Sequence, residues 1–304
     1  MLAGMDTLVG GHTGPRLDPR IPVLTRPSGA LQLGWDPDTA LLLRPPAGVA
    51  ADTLAGILRL LDGLHREDEV VWQANRAGID GVDIAQILAE LDAAGALVPP
   101  RREPAVRSVH LHGRGPLADG LAAALGDGRV RVARSVPDRS GACPLSHGAD
   151  CVVLTDELVP DPRTVAGLVA AGVAHLQVRF RDGRGVVGPL VLPGRTSCLR
   201  CADLTRTGRD PEWPHLAAQL LGRVGHARPD TVLATTALAA TELSALIDAD
   251  PARPPASLNA TLELDLAATR LVRRPWRPHP RCGCRGVARD RVTRDVGEPA
   301  DRPP

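Results

Sequence analysis

The sequence predicts an α/β protein of two domains, and three observations support this. The chain has 304 residues, which is enough for two separate hydrophobic cores. In its second part, short apolar runs alternate with helical patterns, which is typical of a doubly wound sheet. Two close pairs of cysteines lie in that part and predict a metal site. We therefore expect a first domain at residues 20–100, an α/β domain at 105–286 and a disordered tail at 287–304.

The first domain is expected to begin with strands. Three strand-like runs occupy residues 22–25, 30–34 and 40–44, and turns rich in Gly, Pro and Asp separate them. A later turn and strand at residues 95–98 would close the domain. Residues 99–104 contain three prolines and read as the linker to the second domain.

Three helical patterns lie between these strands. Asp52 is a candidate cap for the first helix, and a shorter helix is expected near residues 68–76. The apolar face of the first helix comprises Leu54, Ile57, Leu58, Leu61 and Leu64. The third helix follows Gly81 and carries Ile84, Ile87, Leu88 and Leu91 at helical spacing. Strands, three helices and a closing arm together predict a small winged helix.

The second domain alternates strands and helices. Strands are expected at residues 106–112, 130–132, 151–154 and 175–179, and helices at residues 164–171 and 231–248 as well as directly after Gly115. The long Ala/Leu-rich helix at 231–248 is expected to be buried on most sides. A hairpin is expected at residues 261–266 and 269–273, and the second cysteine pair follows it in the chain.

The two cysteine pairs are the strongest chemical signal. Cys198 and Cys201 form a C-x-x-C motif, and Cys282 and Cys284 form a C-x-C motif near the end of the chain. Four thiolates on two short turns predict a tetrahedral structural zinc site with no open position. Chance spacing and a redox-active C-x-x-C are the alternatives. A redox pair needs an activated, exposed thiol and does not explain the second pair.

The glycine turn after the first strand of the second domain is a weaker signal. Gly113 and Gly115 fit the G-x-G-x-x-G/A fingerprint, in which backbone N–H groups approach a phosphate at a helix N-terminus. The fingerprint also needs a carboxylate at the end of the next strand, where residues 131–135 contain none. Asp156 follows an apolar strand, where a Mg²⁺ ligand could lie. A turn kept for packing and a solvated strand end remain the alternatives.

Composition excludes several classes of function. The net charge is +1, so the chain shows no bias toward a polyanionic partner. All 36 basic residues are arginine, so a lysine cannot bind a phosphate here. We expect no signal peptide, and no membrane span, because no run of about 18 apolar residues occurs. Cysteines paired for metal rather than for disulfides indicate a reducing cytoplasm.

These motifs together resemble a known superfamily. The glycine turn, Asp156, the segment GPLVLPGRTSCLRC that ends at Cys201, and the Cys282-x-Cys284 motif are similar to ThiF-like, ubiquitin-activating proteins. More narrowly, they resemble the partner proteins of azoline-forming cyclodehydratases in ribosomal peptide biosynthesis. The first domain resembles the PqqD-like domain that recognises the leader of a precursor peptide. The resemblance spans residues 20–285.

The resemblance implies a function and a set of partners. Adenylating members bind ATP through the glycine turn, a ribose carboxylate, an arginine, a lysine and a Mg²⁺-binding aspartate. This chain has neither the lysine nor the ribose carboxylate, so ATP binding is not expected. It therefore resembles the non-catalytic partner, in which a separate YcaO-type enzyme uses the ATP. The expected partners are a precursor leader peptide, that enzyme and a possible second copy of the chain.

The leader peptide is expected to add as a strand to the sheet edge of the winged helix. The candidate lining residues are Leu41, Leu43, Ile84, Leu88 and Leu91, which would equally suit a plain core. Two other functions stay open. One is a ThiF-like adenylyltransferase that activates a carboxylate with ATP. The other is a winged-helix DNA binder, which the acidic third helix disfavours because phosphate contacts need cations.

Overall fold

The computed structural model describes residues 14–98, 103–126, 128–137 and 148–286. The chain divides into two compact units, Met1–Arg102 and Glu103–Pro304. The tail expected at residues 287–304 lies outside the described residues.

The first unit opens with a three-stranded antiparallel meander. Its strands are β1 (Val23–Thr25), β2 (Leu31–Leu33) and β3 (Leu41–Leu43), in the order β1-β2-β3. Leu31 and Leu33 point into the core and are at most 2% exposed. Because side chains alternate along a strand, the middle residue of each strand points to the opposite face. That outer face carries Leu24, Gln32 and Leu42 in one row across the sheet.

Three helices complete the unit: α1 (Ala51–Arg59), α2 (Glu67–Arg76) and α3 (Gly81–Ala93). Two details of the first helix were predicted wrongly. Ala50, not Asp52, is its N-cap, and Asp52 lies in the first turn, where a negative charge suits the helix dipole. The helix ends at Arg59, so Leu64 lies beyond it and is 74% exposed. In α3, by contrast, Asp80 is a true cap that accepts hydrogen bonds from two backbone N–H groups.

The arm after α3 pairs with the start of the described chain instead of with the meander. The N–H of Val98 donates to the carbonyl of Arg16, and the N–H of Asp18 donates to the carbonyl of Ala96. Leu17 and Leu97 form the antiparallel bridge between them. Residues 16–18 therefore belong to the first unit, although the predicted domain began at residue 20.

The second unit contains a seven-stranded mixed sheet in the order β10-β9-β8-β7-β6-β4-β5. The strands are β4 (Ser108–His112), β5 (Arg131–Ser135), β6 (Cys151–Thr155), β7 (Ala174–Arg181), β8 (Arg184–Val191), β9 (Ala260–Asp265) and β10 (Arg270–Pro275). Strands β5, β4, β6 and β7 are parallel, whereas β8, β9 and β10 are antiparallel additions. The α/β class is thus confirmed, but only the parallel half follows the doubly wound plan that the sequence predicts.

Helices cover both faces of this sheet. They are α4 (Pro116–Ala124), α5 (Pro162–Ala170), α6 (Leu199–Arg209), α7 (Trp213–Leu220) and α8 (Pro229–Asp248). Alternation along β6 shows the two layers, since Cys151 and Val153 pack with α4 and α8. Val152 and Leu154 pack on the other face with α5 and the start of α6. The sequence patterns predict neither α6 nor α7.

Among the described residues, α8 is the one helix whose length and composition would suit a membrane span. It packs against β8 and α4 as a core helix of the second unit. It also buries Glu242, whose carboxylate accepts hydrogen bonds from the N–H and hydroxyl of Ser257. As expected, α8 is buried or half-buried on most sides, and one face is open and leaves Leu233 72% exposed.

The close approach of α8 to β8 depends on Gly185. A Cβ atom there would lie 2.0 Å from Oγ1 of Thr235 on α8. We expect Gly185→Ala to lower the free energy of unfolding by about 1–3 kcal/mol, because the helix must move outward. Gly208→Ala is the matched control, since a Cβ on that α6 residue meets nothing within 4 Å. Urea unfolding of both variants measures the difference, and equal stabilities would contradict this packing.

Candidate functional site

Two local structures bring the four cysteines together. Cys198 is the N-cap residue of α6, and Cys201 lies in the first turn of that helix. Cys282 and Cys284 flank the start of a short 3-10 turn, Gly283–Gly286, that follows β10. Three of the four are buried and Cys282 is half-buried. The positive end of the α6 dipole faces the sulfurs, which favours their thiolate form.

The geometry of the cluster is that of a metal site. The Sγ atom of Cys198 lies 3.8 Å from that of Cys201 and 3.6 Å from that of Cys282. Cys201 and Cys284 are 3.6 Å apart, and all four sulfurs lie within 4.8 Å of one another. A tetrahedron with metal–sulfur bonds of about 2.3 Å has edges of about 3.8 Å. The spacing therefore suits one metal ion and is far longer than the roughly 2.05 Å of a disulfide bond.

Hydrogen bonding and burial shift the pKa values of the cysteine thiols in different directions. The Cys198 thiol donates a hydrogen bond to the Cys201 sulfur, which lowers the pKa of Cys201 and raises the pKa of Cys198. Burial raises the pKa of Cys284 to about 11. A cation that binds here must therefore displace protons, so its affinity falls as the pH falls.

Asn259 holds the two cysteine segments in place, and the sequence analysis missed it. Its side-chain oxygen accepts a hydrogen bond of 2.7 Å from the N–H of Ser197, directly before Cys198. Its backbone carbonyl accepts one of 2.7 Å from Trp276, on the segment that leads to Cys282. Asn259 adopts a left-handed conformation with φ of 52°, which asparagine tolerates better than most residues. This tolerance is what the sequence could have indicated about Asn259, and it does not reveal that the residue holds the two cysteine segments.

The glycine turn is occupied by a side chain of the protein itself. Asp156 is fully buried, and its two carboxylate oxygens accept hydrogen bonds of 3.0 and 3.1 Å from the N–H groups of Leu117 and Ala118 at the start of α4. A Cβ on Gly115 would lie 2.5 Å from this carboxylate, and one on Gly113 would lie 2.0 Å from Oγ1 of Thr155. The two glycines thus let the turn close over the end of β6.

The end of β5 carries a hydroxyl in place of a carboxylate. Ser135 contacts Nε2 of His110 at 2.6 Å and Nδ1 of His112 at 2.7 Å through its Oγ atom. Its carbonyl also accepts a hydrogen bond from the N–H of Gly113. Both histidines are at most 5% exposed. These contacts join the strand ends to each other.

The predicted peptide-binding leucines divide into two groups. Leu43, Ile84 and Leu91 are at most 1% exposed and belong to the core of the first unit. Leu41 and Leu88 pack against that core but remain partly exposed. Exposed apolar side chains that the sequence analysis missed lie on and beside the meander: Val23, Leu24, Trp35 and Leu42. The run Leu41–Leu43 could have revealed the last, because one of three successive leucines must point outward.

Comparison with solved structures shows what this architecture resembles. The chain superimposes on the heterocyclase TruD with a TM-score of 0.62 and 17% identity, over 90% of its own length. The chain is similar in fold to TruD. It spans 42% of the length of TruD and 39% of a second heterocyclase, solved with substrate and cofactor, at 19% identity and a TM-score of 0.59. No protein-family model and no curated protein sequence matches the chain.

A second kind of structure matches over almost its whole length. The microcin C7 biosynthetic enzyme MccB, in complex with N-formylated MccA, superimposes with a TM-score of 0.58 and 12% identity. This alignment covers 90% of the chain and 99% of MccB; the E. coli MccB structure with ATP matches equally well. The predicted resemblance is confirmed at the level of the fold, which the chain shares with TruD and MccB.

Proposed function

We propose that the chain is a precursor-peptide-binding scaffold that serves a YcaO-type cyclodehydratase in the biosynthesis of azoline-containing peptides, and that it does not itself hydrolyse ATP. The first unit would be a PqqD-like winged helix that binds the leader, and the second a ThiF-like domain held by a structural Zn²⁺. The observation that carries the proposal is the pairing of a TruD-like fold with a glycine turn closed by Asp156.

The closed turn bears directly on ATP. A phosphate at a glycine turn is held by the free N–H groups of the following helix. Here the Asp156 carboxylate already accepts two of those hydrogen bonds, and its charge would repel a phosphate. Ser135 stands where the fingerprint requires a carboxylate for the ribose. This geometry favours a scaffold over the adenylyltransferase, and the ATP chemistry would then belong to the partner enzyme.

The zinc assignment rests on ligand chemistry. Four thiolates at tetrahedral spacing select a soft or borderline cation, and Zn²⁺ is the usual occupant of such closed sites in structural roles. The four ligands leave no position for a substrate. The metal would therefore stabilise the second unit and take no part in a reaction.

The first unit offers a place for an added strand. Strand β3 is an edge of the meander, and the partly exposed Leu41 lies on it. Leu88 on α3 is partly exposed as well. An edge strand provides backbone hydrogen bonds, and side chains beside it provide specificity. Leu24 and Leu42, on either side of Gln32, add apolar surface on the outer face.

Peptide binding is tested with Leu88→Asp in the full-length chain. The probe is a fluorescent synthetic leader segment from a short Cys/Ser/Thr-rich peptide encoded beside this chain, measured by anisotropy. We expect the dissociation constant to rise at least tenfold, because a carboxylate in an apolar groove costs about 2 kcal/mol or more. Val82→Asp is the matched control on the same helix, since Val82 is 77% exposed, and it should bind like the wild type.

Circular dichroism of both variants separates lost binding from lost folding. If Leu88→Asp remains folded and binds normally, the groove does not involve α3. NMR spectra of the chain with the peptide locate the binding site. If the peptide broadens only resonances of the second unit, the peptide-binding role of the first unit is wrong. If no such peptide and no YcaO-type enzyme are encoded nearby, the proposed pathway is contradicted.

A further inference from the structure

A cavity of about 430 Å³ lies beside the four cysteines, on the face of the sheet that α5 and α6 cover. Its size falls within the range of small-molecule sites, about 300–1,000 Å³. Its apolar walls come from α5, α6 and the segments beside them: Val159, Pro162, Val165, Val169, Pro189 and Leu199. Three of the four cysteines contribute to the lining, but neither the metal site nor the proposed peptide groove fills this space.

The polar lining of the cavity contains a buried cation that the carboxylates of Asp203 and Glu263 stabilise only at a distance, without a hydrogen bond or ion pair. Arg179 on β7 is 7% exposed, and within the described part of the chain its guanidinium has no hydrogen-bonded or ion-paired carboxylate. Burial lowers the pKa of Arg179 to about 9. Neighbouring arginines do have such partners, since Arg181 lies 2.7 Å from Glu263 and Arg206 lies 2.8 Å from Asp203. An unpaired buried guanidinium is costly unless a ligand pairs with it.

A second donor with no acceptor lies two residues earlier on the same strand. Gln177 is 2% exposed, and its side-chain nitrogen has no hydrogen-bond partner among the described residues. Side chains two residues apart on a strand point to the same face, so Gln177 and Arg179 lie side by side in the cavity wall. Buried polar groups without partners are rare in native proteins. A buried amide nitrogen without an acceptor, next to a guanidinium without a hydrogen-bonded carboxylate, indicates a missing acceptor in this cavity.

Arg206, which also lines the cavity, is fixed by its neighbours. Arg206 is held between the rings of Trp213 and Trp276, at 5.1 and 4.9 Å from their centres. Among the described residues, Asp203 is the one acidic side chain that lines the cavity, and it accepts hydrogen bonds from Arg206 and from Nε1 of Trp213. Its charge is therefore already paired with Arg206, and it raises the pKa of Arg179 only through a longer-range interaction.

We propose that this cavity binds a monocarboxylate with an apolar body, and that Arg179 and Gln177 recognise the carboxylate. A guanidinium binds a carboxylate through two parallel hydrogen bonds, and the Gln177 amide can donate a third. In the lining, Arg200 is exposed and Arg206 is paired with Asp203, so Arg179 is the buried charge, and a singly charged carboxylate suits it better than a doubly charged phosphate. The carboxylate belongs either to a free organic acid or to the C-terminus of a peptide. This site is independent of the leader-binding role proposed above.

The competing explanation is that Arg179 balances the charge of the cysteine cluster, because four thiolates around a divalent cation leave a net charge of −2. Cys198, Cys282 and Cys284 do line the same cavity. This explanation gives Gln177 no role. It also predicts that loss of Arg179 weakens metal binding, which the carboxylate site does not.

The test uses thermal unfolding of the full-length, metal-loaded chain with three probes: 4-methylpentanoate, N-acetyl-L-leucine and the neutral N-acetyl-L-leucinamide. At about 10 mM we expect an acid to raise the melting temperature by about 2–4 °C and the amide to have no effect. A shift with both acids indicates a free organic acid as the ligand. A shift with N-acetyl-L-leucine alone indicates a peptide C-terminus.

Arg179→Met separates a binding role from a structural one. Without ligand we expect the variant to melt about 2–4 °C higher than the wild type, because an unpaired buried charge has been removed. Its acid-dependent shift should disappear, and Gln177→Leu should weaken acid binding about tenfold. Arg181→Gln is the matched control on the same strand and should keep the full shift.

Several outcomes would overturn the carboxylate site. Equal shifts with the acid and the amide would show that the charge is not recognised. If neither acid raises the melting temperature, monocarboxylates are not the ligands of this cavity. If Arg179→Met lowers the melting temperature and also reduces the metal content by elemental analysis, Arg179 serves the cysteine cluster instead.

Discussion

Replacing Cys201 by serine is expected to remove the metal and unfold most of the second unit. The wild-type chain should contain one Zn²⁺ per molecule by elemental analysis, and Cys201→Ser should contain almost none. The loss of a thiolate from a closed site removes metal affinity that is also folding free energy, on the order of several kcal/mol. Because Cys201 lies in the first turn of α6, we expect that helix to be released from the sheet as well. Loss of far-UV circular dichroism and of cooperative melting measures this effect.

The matched control is Cys151→Ala. Cys151 is fully buried in β6, on the face of the sheet that packs with α4 and α8, and burial raises the pKa of its thiol to about 12. We expect this variant to lose some packing energy and to keep its full metal content. Well-folded wild-type protein without zinc, prepared in the absence of chelators, would refute the assignment. Equal metal loss in both variants would show that general destabilisation, and not ligation, controls the metal.

Asp156→Ala is expected to have the second large effect. The substitution leaves the buried N–H groups of Leu117 and Ala118 without an acceptor, and each such group costs about 1–3 kcal/mol. Alanine also tolerates the left-handed conformation at this position, φ of 69°, less well than aspartate does. We therefore expect a loss of about 3 kcal/mol, or about 6–12 °C in melting temperature. Asp161→Ala removes a half-buried cap from α5 and should cost only about 1 kcal/mol.

Anion rescue distinguishes a closed phosphate site from an ordinary buried cap. The vacated turn in Asp156→Ala exposes helix N–H groups that favour anions, so sulfate should stabilise this variant more than it stabilises the wild type. Calorimetric titration of the wild type with Mg·ATP should give no binding heat. A low-micromolar ATP site in the wild type, or ATP–pyrophosphate exchange with a carboxylate substrate, would favour the adenylyltransferase instead.

The sequence predicted best what local spacing determines. Cysteines three and two residues apart must lie on short turns, so the convergence of Cys198 and Cys201 with Cys282 and Cys284 could be proposed without a structure. The apolar run at residues 151–154 likewise predicted a buried strand, which the structure has at Cys151–Thr155 in the parallel half of the sheet. The same reasoning failed at Leu64, because helical periodicity continued in the sequence beyond the point where the helix ends.

Local spacing in the sequence does not determine which distant strands pair with each other. The order of the antiparallel strands β8, β9 and β10 depends on which edges meet, and side-chain alternation alone does not determine this. The functions of Asp156 and Arg179 depend on what packs against them from other elements. Asp156 was considered as a metal ligand because of its place at a strand end, whereas the structure shows both of its oxygens committed to α4.

The position of Asn259 determines when the metal site can form. Cys198 and Cys282 are 84 positions apart, so bringing them together in an unfolded chain carries a large entropic cost. Asn259 lies directly before β9 and bonds the segments ahead of both cysteine pairs, so the sulfurs converge once β9 has docked beside β8. Metal uptake during refolding should then follow the slow, non-local pairing of these strands. The rate at which refolding protein takes up zinc would therefore measure the rate of the last stage of folding.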